Sequence, residues 1–275
     1  MRSHNHWRHK EVPRRIRNAK RANKPNPRED RNLNQLPDFI REPRKPREHQ
    51  QPEQSYEDRK FKRVELLPRN LAQETYIDHL TDPSKHVVFS IGPAGCGKTL
   101  LATEFAIKGM QEGIFKKIVI TRPAVSVDEQ HGFLPGDLVA KMQPWMMPIL
   151  DVFKKYYSVK AVANMIANEV IEIAPLAFMR GRTFTDSIII ADEMQNSTIS
   201  QMKMVLTRIG DNSRIVVTGD LRQHDRGFEA NGMKDFIERL KFSRSQAMAL
   251  VEFDVRDVER HPVIEDILKM YGETD

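Results

Sequence analysis

The sequence predicts an α/β protein, one domain of mostly parallel sheet wrapped by helices, preceded by a basic arm. Three observations predict it. From about residue 64, short β-branched runs alternate with segments of helical spacing, the pattern of a parallel sheet with crossover helices. A complete Gly-x-x-x-x-Gly-Lys-Thr signature stands between one such run and one such helix. Residues 1–63 differ from the rest in charge, proline and apolar content.

The arm carries 19 Lys/Arg against 9 Asp/Glu, net +10, whereas residues 64–275 carry 25 against 29, net −4. It also holds 7 of the 16 prolines and few large apolar residues. Such a segment buries too little surface to offset its ordering entropy, so disorder is expected. A basic tail of this kind suits an anionic polymer, RNA before DNA, through salt-sensitive phosphate contacts. A solvated tail that aids solubility is the plainer reading. His4, His6 and His9 sit in this arm without a carboxylate cluster or ordered scaffold, so no metal site is expected there.

The elements follow in order. "RNLAQETYIDHL" (69–80) has helical spacing and leads into a "DPSK" turn. "HVVFSIG" (86–92) reads as a strand, and "KTLLATEFAIKGMQEG" (98–113) as a helix stopped by Gly113. "KKIVITRP" (116–123) is a second strand, ended by Pro123. The stretch 124–157 is expected as a loop leading into one or two helices, with Pro144 near a helix start. "IEIAPL" (171–176), "SIIIADE" (187–193), "SRIVVTGD" (213–220) and "MALVEFD" (248–254) are further strands. "TISQMKMVLTRIG" (198–210) opens on a Thr-x-x-Gln capping box, Thr198 with Gln201, and stops at Gly210.

The single cysteine excludes an intrachain disulfide and suits a reducing interior. No apolar run reaches the roughly 18 residues of a membrane span, and the N-terminus lacks a signal peptide's apolar core. A cytoplasmic protein with no membrane partner is expected.

Gly92, Pro93, Ala94, Gly95, Cys96, Gly97, Lys98 and Thr99 form the phosphate loop. Its glycines let backbone N–H groups curl inward onto phosphate oxygens, and the following helix adds its positive end. Lys98 is expected to neutralise the β- and γ-phosphates of ATP, and Thr99 to give its hydroxyl to Mg2+. Cys96 reads as a small filler within the loop. "SIIIADEMQN" delivers Asp192 to the strand edge as the second Mg2+ residue, with Glu193 beside it to polarise a water. That acidic pair favours hydrolysis over transfer to a second substrate and disfavours a small-molecule kinase, for which an acceptor lid is also missing. After "SRIVVTGD", Gln223 is placed to reach the γ-phosphate or the lytic water. No Asn-Lys-x-Asp guanine reader follows, so adenine is the expected base, with Gln73 as its candidate contact.

"TRPAV", "GFLPGD", "PLAFMRGRTFTDSIIIADEMQNSTISQMKMVLTRIGDNSRIVVTGD" and "DVERHPVIEDILKMY" resemble the PhoH-like proteins, the phosphate-starvation-inducible ATPase family, over about residues 64–272. The resemblance implies a RecA-like core related to superfamily 1 helicases, ATP hydrolysis, ring oligomers and RNA-linked work. It carries the family's phosphate loop onto Gly92–Thr99, its Mg2+ aspartate and catalytic glutamate onto Asp192 and Glu193, its glutamine onto Gln223, and its C-terminal arginine onto Arg260. Some relatives carry an N-terminal ribonuclease domain; residues 1–63 are too short and basic for one. The chain departs from the family in "ADEMQN", in Asp128-Glu129-Gln-His-Gly-Phe and in "TGDLRQHDRGFEANG".

Helicases of this superfamily place ATP between two such cores, and residues 64–275 have room for one. A neighbouring copy is therefore expected to complete the site in a ring, a hexamer first, with Arg260, Arg180 and Arg182 as candidate trans arginines. Arg122, with Phe133 and Trp145, is a candidate nucleic-acid contact, although Trp145 has the neighbours of a core residue. The favoured function is an ATP-dependent motor or remodeller on RNA. The alternative is an ATPase module that holds or regulates a protein or RNase partner without separating strands.

Overall fold

The computed structural model describes residues 62–123, 138–223, 231–259, 263 and 270, with the backbone alone for 138–144. The basic arm up to residue 61, Phe133 and Arg260 lie outside the described residues. The elements run α1 (Leu71–Thr81), β1 (Val87–Ile91), α2 (Lys98–Gln111), β2 (Lys117–Thr121), α3 (Leu138–Tyr156), α4 (Val159–Ala167), β3 (Ile171–Ile173), β4 (Ser187–Ala191), α5 (Ile199–Leu206), β5 (Arg214–Gly219), α6 (Gly232–Lys241) and β6 (Met248–Glu252).

All strand pairs are parallel, and the order across the sheet is β3-β2-β4-β5-β1-β6. This is the α/β class with a parallel sheet that the sequence predicts. The period of two in each strand splits the interior into two cores. Val88, Ile118, Ile120, Ile188, Ile190, Val216 and Val251 face a core shared with α1, α2, α3 and α4. Their alternates Phe89, Val119, Ile189, Ile215 and Val217 face a second core with α5 and α6. Burial on both sides explains why these strands are continuous apolar runs. Truncating one of these side chains to alanine would cost about 2–5 kcal/mol.

Local chemistry sets the helix ends. Asn70 caps α1 by accepting from the Gln73 N–H at 2.9 Å. The expected capping box of α5 forms, with Thr198 and Gln201 each bonding the other's backbone N–H.

Several expectations need correction. α3 begins at Leu138, so Pro144 lies inside it, as does Pro148, and neither marks its start. A proline inside a helix loses one N–H donor, which the apolar packing of Met146, Ile149, Leu150 and Phe153 in the first core outweighs. The strand expected over 171–176 stops at Ile173, and Leu176–Met179 form a 3-10 turn after Pro175. α5 ends at Leu206, before Gly210. Gly210 instead lies against Phe184, where a Cβ would fall 2.6 Å from the Phe184 carbonyl oxygen. Helices α4 and α6 add to the expected elements; α6 buries Met233 and Ile237 and packs Phe236 and Leu240 against the second core.

The strand order decides where the chemistry gathers. β5 lies between β1 and β4, so three carboxyl ends meet at one edge of the sheet: the phosphate loop, Asp192–Glu193 and Thr218–Asp220. Ligands of open α/β sheets bind at such an edge.

Candidate active site

The loop after β1 turns on glycines at positive φ, Gly92, Gly95 and Gly97. Gly92 has φ +144, and a Cβ there would sit 2.5 Å from the Phe253 carbonyl oxygen. Gly97 has φ +81 and opens α2 in the left-handed region with no side-chain cap. The first N–H groups of α2 are therefore open to an anion. The segment after β6 braces the loop from outside. Phe253 N donates to Ile91 O at 2.7 Å, and Glu259 N donates to Gly95 O at 3.1 Å.

Lys98 is buried, and its Nζ donates to Gly92 O at 2.7 Å and Pro93 O at 2.6 Å. Burial pushes its pKa below the ordinary lysine value, while Cys96, Asp220, Glu193 and Asp192 pull it back up. Cys96 is fully buried, as a filler should be. Tyr76 is buried beneath α2, where its hydroxyl donates to Lys98 O at 3.4 Å, and burial pushes its pKa up.

Asp192, just past β4, is buried and accepts from two hydroxyls at Oδ1: Thr99 at 2.8 Å, and Thr218 of β5. Glu193 follows with φ +54, an uncommon conformation outside glycine and asparagine that turns its side chain into the cleft. Gln195 donates from Nε2 to Glu193 Oε2 at 2.5 Å and accepts the Asp220 N–H at 3.1 Å on Oε1. It ties the ends of β4 and β5 together. Gly219 makes room for this, since a Cβ there would fall 2.6 Å from Gln195 Oε1.

These groups line one cleft of about 320 Å³, bounded by Ala94, Gly95 and Gly97–Leu100 on the loop side. Asp192, Glu193, Thr218–Asp220 and Gln223 bound the other side. The volume suits a small ligand. The cation-binding side fits Mg2+: Thr99, Asp192 and Thr218 bring hard oxygen atoms to one point, and Mg2+ takes one or two carboxylates plus substrate phosphates. Among the described residues no group of three or more His, Cys, Asp and Glu could hold a metal alone.

The structure brings Ala94, Gly95, Gly97–Thr99, Asp192, Glu193 and Gln223 to this cleft, whereas Gly92, Pro93 and Cys96 shape the loop without lining it. Gln223 is exposed at its lip, its N–H bonded to Asp220 O at 3.1 Å. Gln73, the candidate adenine contact, is instead buried beneath the loop and is not among the residues lining the cleft. Its Nε2 donates to Cys96 O at 3.2 Å and its Oε1 accepts from Arg69 N at 2.9 Å. Arg122 turns toward its own chain's carboxylates, with Nη1 4.0 Å from Asp192 Oδ2 and Nη2 3.9 Å from Glu193 Oε1. Its guanidinium lies over the Trp145 ring at 5.3 Å. Arg182 is held away from the cleft by both oxygens of Glu172, and Arg180 is exposed after the 3-10 turn. Thr218 and Gln195 are participants that sequence reasoning missed. Only the polar "MQN" after the acidic pair could have signalled Gln195.

A profile of the PhoH-like protein family matches residues 65–272. The PhoH-like protein of Bacillus subtilis is 43% identical over 187 residues, covering 67% of this chain and 58% of that protein. Protein PhoH of Escherichia coli K12 is 38% identical over 211 residues, covering 75% and 58%. The chain thus matches little more than half the length of these relatives. Among solved structures, the Pif1 helicase of Candida albicans aligns with a TM-score of 0.36 and 14% identity, over 74% of this chain and 44% of that one. Similarity at that level bears on neither substrate nor activity. No helix among the described residues is long and apolar enough to cross a membrane.

Proposed function

The chain belongs to the PhoH-like protein family, and from that premise we propose that it binds ATP with Mg2+ and hydrolyses it, as a ring-forming motor or remodeller acting on RNA. The observation that carries the hydrolytic reading is the convergence of Lys98, the Thr99–Asp192 hydrogen bond and Glu193 on one cleft.

The free N–H groups at the start of α2 and the loop backbone would bind the triphosphate. Lys98 exchanges its two loop carbonyls for phosphate oxygens. Thr99 and Asp192 would hold Mg2+, which, when bound, neutralises charge developing on the β- and γ-phosphates. Glu193, held at one oxygen by Gln195, orients the attacking water in line with the γ-phosphorus. It accepts the water's proton as the water oxygen bonds to phosphorus and the bond to the ADP oxygen breaks. Gln223 contacts the γ-phosphate from the lip and senses its loss.

One core supplies one wall of such a site. A neighbouring copy would bring Arg260 or Arg180 to the γ-phosphate, and a ring repeats that interface at every subunit. The basic segment 1–63 supports a polynucleotide partner, RNA before DNA. Phosphate release with and without single-stranded RNA, across a salt series and beside the oligomer mass, tests the motor reading. Stimulation that fades with salt and a hexamer mass support it. Turnover indifferent to RNA and DNA returns the module that holds a protein partner.

A further inference from the structure

Arg122 follows the last residue of β2, and β2 lies beside β4 with Thr121 opposite Ala191. The next positions on the two strands are therefore Arg122 and Asp192, with Glu193 one step beyond. The fork spans both carboxylates at 3.9–4.0 Å, a charge contact longer than a hydrogen bond. Its Nε is buried with no hydrogen-bond partner among the described residues. The guanidinium carbon lies over the Trp145 ring of α3, 5.3 Å from its centroid, a cation–π contact.

Two further facts separate Arg122 from an ordinary ion pair at a strand end. It is not among the residues lining the cleft, whereas Glu193 is. Among the described residues the Glu193 carboxylate meets Gln195 at Oε2 and Arg122 at Oε1. Gln195 alone leaves the carboxylate free to swing about that one bond. We infer that Arg122, steadied by Trp145, is a positioning residue that sets the orientation in which Glu193 meets the attacking water. The inference rests on the hydrolytic reading above. It assigns Arg122 to its own subunit's chemistry rather than to a neighbour's phosphate or a polynucleotide.

A positioning residue acts on turnover through its partner, and a misplacement of about 1 Å can cost about 10²-fold in rate. The test is a double-mutant cycle read by single-turnover phosphate release, with MgATP affinity measured in parallel. Arg122→Gln should lower the rate about 10- to 100-fold and leave MgATP affinity within about threefold. Arg122→Lys, which keeps the charge and loses the planar fork, should fall between. Trp145→Leu should lower the rate in the same direction by less. In a Glu193→Gln background, Arg122→Gln should cost nothing further. An undiminished loss in that background, an unchanged rate in Arg122→Gln, or a loss of MgATP affinity matching the loss of rate overturns the inference. Should Arg122→Gln fail to fold, Arg122→Lys and Trp145→Leu carry the same cycle. Failure of the hydrolytic reading shows elsewhere: Glu193→Gln alone would then release phosphate at the wild-type rate.

Discussion

Thr99 Oγ1 donates a 2.8 Å hydrogen bond to Asp192 Oδ1, joining the second residue of α2 to the end of β4 across 93 positions of chain. In the proposed mechanism this is the point where a hydroxyl and a carboxylate would share one cation. Asp192→Asn keeps the shape and the acceptor oxygen but removes the charge. The Mg2+ concentration needed for half-maximal MgATP binding should rise about 10- to 100-fold, the effect of losing about 1.5–3 kcal/mol from a charged contact. Melting should stay near wild type, because Thr99 and Thr218 can still donate to the amide oxygen. An unchanged Mg2+ requirement would remove Asp192 from cation binding.

Gly219→Ala tests the Gln195 bridge. The new Cβ would fall 2.6 Å from Gln195 Oε1 and 2.7 Å from Met233 Sδ, both far ends of long side chains that can change rotamer. The cost to stability should stay within about 1–3 kcal/mol. Turnover should fall further than that cost implies, since Gln195 leaves the Asp220 N–H and loosens Glu193. Wild-type turnover in a variant of normal stability would show that Gln195 does not orient the base.

Glu172 gives a pH dependence of folding at the β3 edge of the sheet. The Arg182 hydrogen bonds, with Lys117 at 2.6 Å, hold its carboxyl below the ordinary value of 4.5 despite its partial burial. A carboxyl whose folded pKa is depressed adds stability above its unfolded pKa and loses it as pH falls through the folded one. The stability gap between wild type and Glu172→Gln should therefore be constant above about pH 5, given an unfolded value near 4.3, and narrow below it. Denaturant melts at pH 7 and pH 3.5 check this; an equal gap at both refutes the ion pair's role.

Much of this site is legible in the sequence because its signals are contiguous. Eight consecutive residues write the phosphate loop, and an apolar run ending in Asp192–Glu193 writes the second half. Both depend on local backbone geometry that a strand-to-helix turn fixes. The Arg122–Glu193 and Thr218–Asp192 contacts are not legible, since they follow from β2 and β5 flanking β4, an order that no local pattern encodes. Gln73 illustrates the same limit. Its helix is plain from spacing, but its burial under Cys96 depends on how α1 packs on the loop. α3 shows tertiary packing overriding a local rule, since its helix runs through Pro144 and Pro148. α6 is in fact written in the spacing, since Met233, Phe236, Ile237 and Leu240 stand at i, i+3, i+4 and i+7 and pack on the second core.

Arg260 follows Glu259, whose N–H is bonded to the phosphate loop at Gly95. If Arg260 serves a neighbouring site, Arg260→Ala should lower turnover on the order of 10³-fold and spare MgATP binding. Mixing it with Glu193→Gln subunits should then restore activity, because some interfaces would join an intact base to an intact arginine. Mixtures as inactive as the separate variants would place Arg260 in its own subunit's mechanism or outside it.

The most direct test of the hydrolytic assignment is Mg2+-dependent phosphate release by Glu193→Gln and wild type at equal ATP occupancy. Removing a positioned general base should lower the rate by about 10²–10⁴-fold while MgATP still binds. Equal rates in the two proteins would contradict the account.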